Sequence, residues 1–149
     1  MKKKTIFLKN KIINELLISG KKEKSEKILS KSFKLFQKLN KKSLLVSFQF
    51  SIINAAPVFD ISTQIVKKGK RKNIKETPIF LSNSKIRSKN SFKFLKKSSI
   101  KEKKKLQFYK SFAKEISNSM TLNGTSKLSK IEKQKQVLLN KRYWYNFKW

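Results

Sequence analysis

Thirty-nine lysines and arginines stand against eight aspartates and glutamates, a formal net charge of +31 on 149 residues. A compact body carrying that charge repels itself, and the repulsion is relieved when a polyanion surrounds it. The cations run from Lys2 to Lys148, so this is not a neutral domain with a basic tail. Such a distribution implies a nucleic acid that touches much of the surface.

The remaining composition sets the class. A chain of this length is one domain, residues 1–149, able to bury a core. The 38% hydrophobic fraction is modest, but Leu, Ile and Phe are clustered, which implies a folded body and not a disordered polycation. With no Cys and no His, disulfides, Cys/His zinc sites and Cys- or His-dependent catalysis are excluded. The acids form no carboxylate pair, and the three glycines form no phosphate-cradling loop. No cofactor and no small-molecule substrate is expected, and an enzyme is the least favoured class.

Only Arg71, Arg87 and Arg142 are arginines, although Arg is the better bidentate phosphate ligand. Lys, Asn, Ile and Phe, whose codons are AT-rich, dominate instead. The skew points to a low-GC organellar genome. The start, MKKKTIFLKN, has a basic beginning without the sustained apolar run or cleavage site of a signal peptide. A protein of this kind working in an organelle is expected to be made there. Leu44 to Phe59 is the most apolar stretch, interrupted by Gln49, Asn54 and Pro57 and too short to span a membrane.

Periodicity gives the elements. Ile12, Ile13, Leu16 and Leu17 predict a helix over Lys9–Ser19 with Gly20 as its cap. KKEKSEK opens a second, with Ile28, Leu29, Phe33, Phe36 and Leu39 inward and an end near Asn40. A third runs from Ser43 to Ala56, stopped by Pro57. Val58–Val66 and Ile74–Leu81 are β-favouring and predict a hairpin (58–81) with a basic tip between them. A weak helix is expected around Phe92–Ser99, and KEKKK at 101–105 as a break or a solvated helix end. Leu106, Tyr109, Phe112, Ala113, Ile116 and Met120 mark an amphipathic helix ended by Asn123–Gly124. Ser129-x-x-Glu132 reads as a capping box for a last helix towards Arg142, with a start a few residues earlier as the alternative. RYWYNFKW closes the chain, a basic-aromatic segment over 140–149. The fold class is mainly α: about six helices, one protruding β-hairpin, and basic N- and C-terminal extensions.

In this order the segments resemble the small-subunit ribosomal protein S-seven family. KIINELLISGKK with Glu26 and Ile28 is similar to its first helix and Asp-Gly-Lys-Lys turn, with Ser19 where Asp is usual. Phe48, Asn54 and Pro57 fit its third helix. Phe59-Asp60-Ile61 and Thr77-Pro78-Ile79 fit its two strands, and FAKEISNS (112–119) fits Leu-Ala-Asn-Glu-Leu-x-x-Ala. Arg142, Trp144, Phe147, Lys148 and Trp149 fit its ending. The family's Arg-Ser-Arg-Arg run in the hairpin is replaced by Ser62, Thr63, Gln64 and Ile65, and the charge sits further on.

The resemblance implies a structural protein of the small-subunit head. It would bind the 3′ major domain of small-subunit ribosomal RNA, beside head and platform proteins, with the hairpin and C-terminal segment near the exit-site tRNA and the mRNA exit. The expected RNA contacts are Lys2, Lys3, Lys4, Lys21, Lys22, Lys67, Lys68, Lys70, Arg71, Lys72, Lys85, Arg87, Arg142, Trp144, Lys148 and Trp149. Lysine contacts give affinity and position but little base reading. The terminal aromatics either pack on the last helix or stack on bases. The drift of hairpin and ending places the protein in a mitochondrial ribosome, with a plastid as the alternative. Two other classes fit the charge: a nucleic-acid-compacting nucleoid protein, and a membrane-active polycation, which Pro57 and the β-type segment disfavour.

Overall fold

The computed structural model describes residues 2–40, 43–68, 71–102 and 107–139. The elements are α1 (Lys2–Leu16), α2 (Lys22–Leu39), α3 (Leu44–Ala55), β1 (Phe59–Lys68), β2 (Arg71–Phe80), α4 (Ser84–Glu102), α5 (Phe108–Met120) and α6 (Thr125–Leu139). The two strands form one antiparallel hairpin. The mainly α fold with a hairpin is thus the one the sequence implies.

Helix α5 is the hub, packing against α2, α3, α4 and α6. Its face Ser111, Phe112, Ala113, Glu115, Ile116 and Ser119 is buried, the i, i+1, i+4, i+5 spacing that lets a helix be covered along one side. Around it gather Ile12, Ile13, Leu16, Leu29, Phe36, Phe48, Ile52, Phe92 and Leu95. Phe48 stacks against Phe92 and meets Phe33 edge-on, at centroid distances of 6.3 and 5.1 Å, within the favourable aromatic range.

Serine fills the positions where helices approach closely. The sequence has only three alanines, and among the described residues ten serines are buried. Several satisfy their hydroxyl on the preceding turn: Ser32 Oγ donates to Ile28 O at 2.8 Å and Ser99 Oγ to Leu95 O at 2.7 Å. Ser91 Oγ instead bridges helices, donating to Ile52 O at 3.0 Å. A back-bonded serine presents little more bulk than alanine, which is why a lysine- and serine-rich chain can still pack helices.

The structure redraws several boundaries. α1 begins at Lys2, not Lys9, so Lys2–Lys4 form its first turn. It ends at Leu16, before Ser19 and Gly20, which turn with φ of 52° and 72°. Leu39, expected inward, is 64% exposed. The strands run to Lys68 and resume at Arg71, with Ile65 opposite Ile74 and Val66 opposite Asn73. Most of the supposed tip is therefore paired strand.

Helix α4 is the largest correction. It spans Ser84–Glu102, absorbing the polar stretch before Phe92. Asn83 starts it: its Oδ1 accepts the Lys85 N–H at 2.9 Å, and its carbonyl accepts those of Ile86 and Arg87, as an N-cap asparagine does. Burial of Ser91, Phe92, Leu95, Ser98 and Ser99 holds it on one side. The Ser129 capping box is absent, because α6 starts four residues earlier at Thr125 and is capped from another helix.

That cap is Glu115. It is fully buried; its Oε1 accepts the Ser126 N–H at 2.8 Å and its Oε2 accepts the Thr125 hydroxyl at 3.2 Å. A carboxylate at a helix N-terminus meets unpaired N–H groups and the positive end of the dipole. Gly124 leaves the room: a Cβ there would lie 2.8 Å from Glu115 Oε1 and 2.9 Å from Ser119 Oγ.

Candidate nucleic-acid interface

The first turns of α4 read SKIRSKN. On a helix, Lys85 and Lys89 lie one turn apart on one side and Arg87 points elsewhere. Lys85 and Lys89 face α1: Lys11 Nζ donates to the Lys85 carbonyl at 3.0 Å. The Lys11 ammonium is held below the ordinary lysine range by burial first, then by the charges of Lys85 and Lys89. On the other side Arg87 and Lys127 lie near Lys130 of α6, whose ammonium is also lowered, chiefly by desolvation and then by these two cations. Lys130 Nζ is fixed on Asn54 O at 3.0 Å, and Asn54 Nδ2 donates to Ser119 O and Met120 O at 3.0 and 3.2 Å.

Two groups of three cations therefore flank the first turns of α4, Lys11 with Lys85 and Lys89 on one side and Lys130 with Arg87 and Lys127 on the other. Each lowered ammonium records burial first and the neighbouring like charges second, and an anion seated beside them would relieve the second. The α4 N-terminus adds its own partial positive charge.

Asp60 joins the hairpin to this region. Its Oδ1 pairs with Lys133 of α6 and accepts the Ile61 N–H at 2.9 Å; its Oδ2 accepts from Asn90 of α4 at 3.1 Å. Phe59 and Phe80 pack edge-on across the same end. From this base ten-residue strands reach outward by about 30 Å at roughly 3.4 Å per residue. Near the far end Lys67 pairs with Lys72 and Lys68 with Arg71 across the ladder.

Of the expected contacts, the structure brings Lys85 and Arg87 together and aligns Lys67, Lys68, Arg71 and Lys72 along one arm. Lys2, Lys3 and Lys4 lie in the first turn of α1. Lys21 and Lys22 stand apart and exposed, Lys21 as the N-cap and Lys22 as the first residue of α2, beyond the end of α1 where Lys96 Nζ bonds the Glu15 carbonyl. Lys70, Arg142, Trp144, Lys148 and Trp149 lie outside the described residues. Lys11, Lys89, Lys127 and Lys130 were not singled out from the sequence. The i, i+4 spacing of Lys85 and Lys89 carries a signal only once residues 84–91 are known to be helical. Among the described residues no group of acids is placed to hold a metal, and no helix is long and apolar enough to cross a membrane.

A helical body with cations flanking one helix start and a paired hairpin arm fits a class, the nucleic-acid-binding scaffold proteins. Within it the chain belongs to the family described as ribosomal protein S7p/S5e, whose model matches residues 2–141. Members of that family are structural proteins of the small ribosomal subunit that bind its RNA, and not enzymes. No curated protein matches the chain in sequence.

Proposed function

We propose that this protein is a structural constituent of the small-subunit head, that it binds the 3′ major domain of the ribosomal RNA, and that it helps that domain fold. The observation that carries this is the pair of cation groups flanking the first turns of α4, Lys11 with Lys85 and Lys89 and Lys130 with Arg87 and Lys127, with the hairpin base held on the same helix through Asn90. Six cations on packed helices define a fixed shape, and a fixed shape of charge selects one fold of RNA where a flexible polycation would not.

The hairpin and residues 140–149 lie, in this reading, near the exit-site tRNA and the mRNA exit, with head and platform proteins as neighbours. The low-GC composition supports a mitochondrial ribosome in the matrix, encoded in the organelle; a plastid is the alternative. Fractionation of purified mitochondria tests the location, and recovery of the chain outside the organelle would refute it.

Footprinting on the cognate small-subunit RNA, with equimolar duplex DNA as competitor, tests the function. Protection confined to the 3′ major domain and resistant to the DNA is expected. Diffuse protection that disappears with the competitor would leave a nucleic-acid-compacting protein instead. In the same assay, Arg87→Gln, Lys127→Gln and Lys130→Gln together should flatten the log–log salt dependence by about 0.7–0.9 for each phosphate no longer neutralised.

A further inference from the structure

Among the described helices, α3 (LLVSFQFSIINA) is the one without a charged residue. In a chain of 39 cations, none occurs between Ser43 and Val66. The helix is apolar on both sides. Ser47, Phe48, Ser51, Ile52 and Ala55 face the core. Leu45, Val46, Phe50 and Ile53 face away from it, exposed by 50, 49, 54 and 64%. Their spacing forms one stripe along the outer face. Gln49 is the exposed polar residue within this stripe; an outer face otherwise apolar is ordinarily covered, and twelve residues are too few to cross a bilayer.

Beside the stripe an apolar cleft opens between α1 and α3. Leu8 and Ile12 form one wall, Leu44, Leu45 and Phe48 the other, and Phe33 of α2 contributes from below. Its volume is about 220 Å³, below the range of about 300–1,000 Å³ usual for small-molecule sites. It suits one large side chain. Lys9 is the cation at its edge.

The chemistry narrows the occupant. RNA phosphates gain nothing from a face without cations. A second copy would bring +31 against +31, a repulsion that a short apolar stripe does not offset. A protein segment whose apolar centre is bordered by carboxylates satisfies both the stripe and the surrounding positive field.

We propose that the outer face of α3 and the α1–α3 cleft form a docking surface for a neighbouring small-subunit protein. An apolar segment with acidic flanks lies along Val46, Phe50 and Ile53, with one large apolar side chain anchored in the cleft. The proposal rests on the chain's place in the small subunit and adds a protein-facing side opposite in chemistry to its RNA-facing one.

The test uses a photoreactive benzoylphenylalanine in the full chain, at Phe50 in one variant and at Ser84 in another, each assembled into small subunits. Crosslinks from position 50 should map to a protein peptide with an apolar core and Asp or Glu at its flanks. Crosslinks from position 50 to ribosomal RNA, to another copy of this chain or to a lysine-rich peptide, or no crosslink above the unirradiated control, would overturn the proposal. Crosslinking from Ser84, at the start of α4, reports separately on the RNA-binding reading. In the position-50 chain, Ile53→Asp should cut the protein crosslink about tenfold or more. Ile53 is exposed, so melting temperature should stay the same; an undiminished crosslink with this change would also overturn the docking surface.

Discussion

Glu115 Oε1 accepts the backbone N–H of Ser126 at 2.8 Å, so the hub helix α5 caps α6 from inside the core. One buried carboxylate thereby fixes where α6 starts, and with it the position of Lys127 and Lys130 beside Arg87. Glu115→Ala removes the acceptor for two donors and should lower stability by about 2–3 kcal/mol. Urea titration in high salt measures this, and a midpoint equal to that of the parent would contradict it.

Two glycines should respond to alanine for different reasons. At Gly20 a Cβ meets nothing within 4 Å, but φ is 72°, so Gly20→Ala costs about 1–2 kcal/mol through the backbone alone. At Gly124 the Cβ would press on Glu115 Oε1 at 2.8 Å and on the Ser119 backbone N at 3.0 Å. Gly124→Ala should therefore disturb the α6 cap. Hydrogen exchange separates the two, with α6 amides accelerated selectively only in the Gly124 variant.

The hydroxyls of Ser47 and Ser111 are buried without a hydrogen-bond partner. Replacing either by alanine removes a desolvated group and raises helix propensity. Ser47→Ala and Ser111→Ala should each stabilise the protein by about 1 kcal/mol in thermal melts. Loss of stability in both would mean that the hydroxyls are satisfied.

Asp60 ties β1 to α4 and α6 through Asn90 and Lys133. Both members of the ion pair are partly exposed, so the pair itself contributes little. The effect of Asp60→Ala should be local: faster amide exchange in β1 and β2, with the α5 core unchanged.

Salt should act with opposite signs on the free and bound protein. Screening relieves the crowding of Lys11, Lys85, Lys89, Arg87, Lys127 and Lys130, so added salt should raise the melting temperature of the RNA-free protein while it weakens RNA binding. For pH, the folded-state values of Lys11 and Lys130 lie below 10.5. In the window between those values and 10.5 the unfolded chain holds more protons, so stability of the free protein should rise with pH there. Chemical denaturation across alkaline pH, compared with the double variant Lys11→Met and Lys130→Met, measures this.

The sequence determined the helices whose apolar positions recur at regular spacing, because burial on one side needs only that spacing. The core residues of α1, α2 and α5 were legible this way, as were Pro57 as a stop and the β-favouring stretches on either side of the hairpin. Its charge alone implied a polyanionic partner. Only the tertiary structure decided the rest. SKIRSKN has no apolar stripe of its own; it is helical because Asn83 caps it and the rest of α4 is buried. α6 starts at Thr125 because Glu115, ten residues back and on another helix, supplies the acceptor. Lys11 and Lys130 join Lys85 and Arg87 because packing sets three helices side by side. Local spacing records what a segment buries along itself; which charges meet, and which apolar face of α3 stays uncovered, depends on neighbours distant in the chain.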